Sequence, residues 1–249
     1  MNPAEFRFLA RAEEDFWWFR GMRRILFALL EPAIRGRSIE NVLEAGCGTG
    51  HFAHLLARRY GWRVFAVDLA WEGLAYGRQK GIASLAQADI ARLPFPPGCF
   101  DAAFSLDVLV HFPEGGERSA LAELARVLKP GGLLVLRVAA LKILRSRHSQ
   151  FTCERQRFTA GRLLAALESC GLRPFRWSYA NTLLMPVALV KFRLWEPLLR
   201  KRPASGLVPL PDWLNELLTR VLYTEAELLA AGVRFPLGQS LIVLGEKAA

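Results

Sequence analysis

The chain has 249 residues, a hydrophobic share of 52% and a formal net charge of +10. That length holds one large domain, or a domain with an insertion, and excludes a second complete catalytic domain. The longest apolar stretch, residues 183–190, falls well short of the roughly 20 residues that a membrane-spanning helix needs.

The chain opens Met1-Asn2-Pro3-Ala4-Glu5 and soon meets Glu13-Glu14-Asp15, with neither the basic n-region nor the apolar h-region of a secretion signal. Residues 5–30 read as a pair of helices, so residues 1–36 are expected to form a helical cap. Phe16-Trp17-Trp18-Phe19 is an aromatic cluster, and helical spacing continues from Met22 to Leu30.

From Asn41 onward, short apolar runs alternate with helical stretches. Strands are expected at 42–44, 63–68, 84–88, 100–106 and 133–138, with helices at 51–60, 71–80 and 117–128. Leu93–Gly98 reads as a loop, and Lys129-Pro130-Gly131-Gly132 as a turn. Alternating strands and helices imply a parallel sheet with helices on both faces, and near-continuous apolar strands fit that burial. A helix at 159–169, a sixth strand at 172–179 and a last strand at 238–245 complete the core. Between them, residues 181–234 form an apolar, helical insertion broken by Pro197, Pro203, Pro209 and Pro211. The expected division is a cap over 1–36, an α/β core over 37–180, an insertion or lid over 181–234 and a closing strand within 235–249.

One run carries the chemistry. Asn41-Val42-Leu43-Glu44-Ala45-Gly46-Cys47-Gly48-Thr49-Gly50 is a buried strand that breaks into three alternating glycines before a helix. Such a turn puts backbone amides and a helix N-terminus around a ligand. The spacing is G-x-G-x-G, not the G-x-G-x-x-G of dinucleotide binders. Glu44 would repel a pyrophosphate but welcome an ammonium, which favours S-adenosylmethionine over NAD as the cofactor. Cys47 reads as a small residue fitted to the turn. Asp68, Asp89 and Asp107 then follow successive strand ends, where ligands of open α/β sheets bind. Asp68 is placed to accept from both ribose hydroxyls and Asp89 to reach an adenine amino group, while Asp107 lies on the floor of the cleft.

The charge is uneven, with seven Lys/Arg against one acid, Glu154, between Arg137 and Arg162. Such a surface attracts nucleic acid, anionic lipid or acidic substrates. Arg145, Arg147, Arg155 and Arg157 are therefore candidates for holding an anionic group of a substrate. Apolar residues beside Lys191, Arg193, Arg200, Lys201 and Arg202 in the insertion make it either a lid or a peripheral membrane contact through 181–202. Cys47, Cys99, Cys153 and Cys170 are scattered without metal-ligand spacing, so reduced thiols, no metal and a cytoplasmic location are expected.

The stretches VLEAGCGTG (42–50), VFAVDLA (64–70), QADIARLPFP (87–96), FDAAFSLDVLVHF (100–112) and LARVLKPGGLLVLRV (124–138) together resemble class I S-adenosylmethionine-dependent methyltransferases acting on small molecules. The resemblance implies a Rossmann-like sheet of seven strands, mostly parallel, with an antiparallel last strand. It implies that Glu44, Gly46, Cys47, Gly48 and Gly50 hold the methionine part of the cofactor. Asp68 would meet the ribose, Asp89 and Ile90 the adenine, and Leu106 and Asp107 the methyl end, with Leu69 also in contact with the cofactor. The run 16–24 resembles an aromatic-rich helix that covers the cofactor, which nominates Trp17 and Arg20. Residues 148–159 resemble a motif often written S-H-D…H-x-R-R-Y, from which Ser149, Glu154 and Phe158 depart, as Val110 does from a frequent Glu before His111. For an acceptor that must lose a proton, His111 and then His148 are the candidate bases. The expected activity is methyl transfer to a small, anionic or apolar acceptor, on oxygen. The alternatives are a non-catalytic binding protein on the same fold and a nucleic-acid methyltransferase, although no nucleic acid is obligatory.

Overall fold

The computed structural model describes residues 2–199 and 202–248. Two N-terminal helices, α1 (Glu5–Ala12) and α2 (Trp17–Ile34), precede the alternating core. The core runs β1 (Asn41–Ala45), α3 (His51–Tyr60), β2 (Arg63–Asp68), α4 (Trp71–Gln79), β3 (Ser84–Gln87), β4 (Phe100–Leu106), α5 (Glu117–Val127) and β5 (Leu128–Ala139). It continues through α6 (Arg147–Phe151), α7 (Ala160–Ser169), β6 (Leu172–Ala180), α8 (Met185–Val190), α9 (Glu196–Leu199), α10 (Asp212–Ala230) and β7 (Ser240–Lys247).

The strands form one sheet in the order β3-β2-β1-β4-β5-β7-β6, and β7 runs antiparallel to both of its neighbours. The Rossmann-like, mostly parallel sheet is therefore as expected. Its order reverses between β1 and β4, and the crevice at their carboxyl ends is where such sheets bind ligands. Val42, Leu43, Ala102, Ala103, Phe104, Val135 and Leu136 are wholly buried because helices cover both faces. Met22, Ile25, Leu26 and Leu29 of α2 join Leu56 of α3 and Leu222, Ala226 and Leu229 of α10 on one face. Leu121 and Leu124 of α5 and Leu163 and Leu167 of α7 fill the other.

Three expectations change. No turn separates α5 from β5: the strand begins at Leu128, opposite Phe100, and Leu133 lies opposite Ala102, so the Pro-Gly-Gly segment is a bulge within the strand. Pro197 does not break the insertion. The helix passes it through a π-turn, Lys191–Trp195, in which Glu196 N–H donates to the Lys191 carbonyl. The insertion is also not uniformly a lid. Its second half, α10, is a core helix against α2, where Gly21 leaves room for Leu222. Among the described residues, no helix is long and apolar enough to cross a membrane.

Candidate cofactor and acceptor site

β1 delivers Glu44 into the crevice and ends in the glycine turn. Gly46 and Gly50 both take positive φ, of 86° and 71°. A Cβ at Gly46 would overlap Val108 after β4, and one at Gly50 would overlap Ile82. The turn thus needs glycine both for its backbone conformation and for close packing.

The amides of this turn are largely spent inside the protein. Gly46 and Cys47 donate to the Val67 carbonyl at 2.8 and 2.9 Å, and Gly50 donates to Cys47 O at 2.8 Å. Gly48 donates to Asp68 Oδ2 at 2.8 Å, while Asp68 Oδ1 accepts from Ala70 at 2.8 Å. A pyrophosphate needs free N–H groups, and this turn does not present them as a nest. Each Asp68 oxygen keeps a lone pair for a further donor. Glu44 is 3% exposed and its Oε2 has no partner. Burial, aided by the nearby Asp68 and Glu13 charges, holds its carboxyl well above the usual carboxylate range. A buried acid in that state gains most from a cationic ligand. The Cys47 thiol is pushed up by burial and is not a nucleophile at neutral pH.

Leu69, just beyond Asp68, is 65% exposed. Asp89 Oδ1 accepts from Ala91 N at 2.9 Å, which fixes the turn that brings the buried Ile90 beneath the crevice wall. Leu106 is half-buried, and Asp107 takes a left-handed backbone with φ of 61°. The Asp107 carboxylate is gripped by Arg137 of β5, Nε at 2.9 Å and Nη2 at 2.6 Å from Oδ2. The Arg137 guanidinium also lies 4.8 Å from the Trp18 ring centre.

That arrangement corrects the reading of the basic segment. Arg137 pairs with Asp107, Arg157 with the buried Glu154, Arg162 with Glu114 and Glu117, and Lys142 with Glu114. Arg157 also donates to Ser149 Oγ at 2.9 Å and to the Ala140 carbonyl at 3.1 Å, so it braces the loop from inside. Glu154 and Ser149, which depart from the familiar motif, are therefore partners of one buried arginine. Arg145, Arg147 and Arg155 form no ion pair among the described residues. Arg145 reaches the Glu154 carbonyl at 2.7 Å and Arg147 the Arg202 carbonyl at 2.6 Å. Arg200 and Lys201 lie outside the described residues.

The cap also differs in detail. Trp17 donates its backbone N–H to Asn215 Oδ1 at 2.8 Å, and Arg20 pairs with Glu216 at 2.9 Å. Both contacts tie α2 to α10, and the Trp18 ring meets the Arg137 guanidinium. Glu13 is buried with its carboxylate on Thr49 Oγ1 and Lys80 Nζ, which latches the cap to the glycine turn. Glu5 of α1 is buried as well. Its Oε1 accepts from Ser205 Oγ at 3.0 Å, lies 3.9 Å from His148 Nδ1, and its Oε2 has no partner. Burial pushes this carboxyl up to about 7. No local sequence signal distinguishes Glu5 or Glu13 from ordinary surface acids.

His111 follows β4 in a 3-10 turn, with Nδ1 3.4 Å from the Cys153 carbonyl. Burial lowers its pKa, so the ring is neutral at pH 7. His148 Nδ1 accepts from Gly206 N at 2.9 Å, and burial takes this ring down to about 4. With Nδ1 engaged, the neutral His148 carries its proton on Nε2 and is a donor rather than a base.

Residues 42–132 match the family model described as methyltransferase domain. The malonyl-[acyl-carrier protein] O-methyltransferase of Pectobacterium atrosepticum is 40% identical over 100 residues, covering 40% of this chain and 38% of that protein. The O-methyltransferase cnsE of Penicillium expansum is 36% identical over 104 residues, 39% of this chain and 37% of that protein. The chain thus matches less than two-fifths of the length of these relatives. Among solved structures, geranyl diphosphate C-methyltransferase from Streptomyces coelicolor A3(2), in complex with Mg2+, geranyl diphosphate and S-adenosyl-L-homocysteine, aligns with a TM-score of 0.57 at 16% identity. That alignment covers 89% of this chain and 76% of that one. The [4+2]-cyclase SpnF aligns at 0.55 and 20% identity, over 89% and 81%. These two share the fold.

Proposed function

Residues 42–132 belong to the class I S-adenosylmethionine-dependent methyltransferases, and from that premise we propose that the protein transfers a methyl group to an oxygen of a small acceptor bearing an anionic group. The observation that carries the reading is the pairing of a buried Glu44 carboxyl, one oxygen of which has no partner, with a glycine turn whose amides are largely spent. That combination suits a cationic amino-acid end and not a pyrophosphate. The names of the curated relatives, several of them O-methyltransferases, support oxygen as the nucleophile.

When bound, S-adenosylmethionine supplies a methyl group already activated on a sulfonium. Glu44 and the turn Gly46–Gly50 hold its methionine part, and Asp68 takes the ribose hydroxyls on its remaining lone pairs. Asp89 and Ile90 bound the adenine, with Leu69 folding over it. Leu106 and Asp107 lie at the methyl end, Asp107 held there by Arg137. The remaining task is to keep the acceptor oxygen about 3–3.5 Å from the methyl carbon and in line, in a site shut off from water. Arg145, Arg147 and Arg155 hold the anionic group on the α6 side, and the neutral His111 ring accepts the hydroxyl proton where the acceptor carries one. His148 positions the 205–206 backbone against α6 rather than moving a proton.

The test is incubation with methyl-labelled S-adenosylmethionine and an extract of the source cells. Label in an anionic small-molecule fraction is expected. Label confined to nucleic acid, or none despite cofactor binding, would contradict the reading.

A further inference from the structure

We propose that the outer face of the helical run 185–198 docks on a membrane surface bearing anionic lipid headgroups. The run consists of α8, the π-turn Lys191–Trp195 and α9. Along it, Val187, Val190, Leu194 and Leu198 recur three or four residues apart, which places them on one face of the helix. They are 57–78% exposed, and Trp195 beside them is 62% exposed. An apolar stripe of this kind normally faces something. It is not the face on which the run packs. Ala188 is buried, Leu184 joins the core under α10, and Glu196 turns toward α6, its Oε2 accepting from Arg147 N at 2.9 Å.

Charge selects the occupant. Lys191 and Arg193 lie beside the stripe and are exposed, and Glu196 is the only acid between 181 and 202. α8 also packs against the turn Lys142–Leu144, where an exposed Ile143 and Lys142 extend the same apolar and cationic character. Exposed valine, leucine and tryptophan flanked by lysine and arginine are the chemistry of a helix lying in a bilayer interface over anionic lipid. A second copy of the chain fits less well, because each stripe would bring its own cations against the other's with no acid to meet them. The run is too short to span a bilayer, so the contact is peripheral. Through Glu196 and Arg147 the docked face adjoins the α6 side of the cleft. The inference does not depend on methyl transfer.

The experiment is flotation of the full chain with vesicles of phosphatidylcholine alone and of phosphatidylcholine mixed with phosphatidylglycerol. The expected result is flotation with the mixed vesicles at low salt, little with phosphatidylcholine alone, and loss as salt screens the contact. The double variant Val187→Glu and Leu194→Glu should weaken binding about tenfold or more, with its thermal melting unchanged because both sites face solvent. No flotation at low salt, or equal flotation of the variant, overturns the proposal. So does a lipid-free dimer that the same two substitutions dissociate, since a second copy would then be the occupant.

Discussion

The Arg137 guanidinium holds the Asp107 carboxylate from the neighbouring strand, with Nη2 2.6 Å from Oδ2, while the Trp18 ring covers its other side. Asp107 has a left-handed backbone at the carboxyl end of β4, and this clamp fixes it in the floor of the crevice. Arg137 is almost fully buried, so removing one partner leaves an uncompensated charge. Arg137→Ala should therefore lower stability by about 3 kcal/mol, at the low end for a broken buried pair because Asp107 is one-third exposed. Urea unfolding measures the loss. Arg137→Lys should recover only part of it, since one ammonium replaces a two-pronged contact.

The sheet and the glycine turn were legible in the sequence because their signals are local. Strands such as Phe100–Leu106 are continuous apolar runs, and Gly46, Gly48 and Gly50 announce a turn by their spacing. The acids after successive strands could be placed because a parallel sheet brings all those strand ends to one side. What was not legible depends on partners far away in the chain. Arg137, Arg157 and Arg162 count as surface charge until Asp107, Glu154 and Glu117 are seen to neutralise them. Arg20 lies on the helix that resembles a cofactor cover, but its side chain pairs with Glu216 of α10, while the Trp18 ring lies against Arg137. Glu5 and Glu13 are buried only because α1 and its connection fold back over the turn.

The contact of α2 with α10 rests on a missing side chain. A Cβ at Gly21 would overlap the Leu222 side chain, which is itself wholly buried. Gly21→Ala gains helix propensity, about 1 kcal/mol, but overpacks the interface. A net loss of about 1–2 kcal/mol is expected, visible as a lower denaturation midpoint. Leu222→Ala in the same background removes the overlap with the end of the leucine side chain but keeps the Cβ, which the new methyl also overlaps, so it should relieve only part of the clash and the two changes should not add.

Glu5 predicts a pH dependence with a definite sign. Burial raises its carboxyl from 4.5 to about 7, so the folded chain binds the proton more tightly than the unfolded one. The associated stability is fully present below about pH 4.5 and is lost as pH rises through 7. Its size is at most about 3 kcal/mol. His148, lowered to about 4 by burial, works in the opposite direction: its contribution is present above the ordinary histidine range and lost as pH falls toward 4. Glu5→Gln removes only the first term. Between about pH 4.5 and 6.5 the two contributions oppose each other in the parent, so protection of α1 from proteolysis should fall only as pH rises from about 6.5 through 7. In the variant the histidine contribution alone remains, and protection should rise between about pH 4 and 6.5 and then stay level.

Arg145, Arg147 and Arg155 are assigned to the acceptor and not to the cofactor. Replacing all three by alanine should leave S-adenosylmethionine affinity within about twofold, since the remaining contacts to the cofactor are untouched. Label transfer to an anionic acceptor should fall by about 100-fold or more, on the order of 1 kcal/mol or more for each of the three lost contacts. Equal loss of cofactor binding and transfer would remove these residues from the acceptor side.

The central claim is that the crevice bounded by Glu44, the glycine turn and Asp68 takes S-adenosylmethionine. Titration calorimetry of the full chain with S-adenosylmethionine, its demethylated product and NAD tests it most directly, alongside Asp68→Ala. The account predicts saturable binding of the first two, none of NAD, and a loss of about 100-fold or more in the variant as two charge-assisted ribose hydrogen bonds disappear. Binding of NAD in preference, or binding of S-adenosylmethionine that Asp68→Ala leaves unchanged, would contradict it.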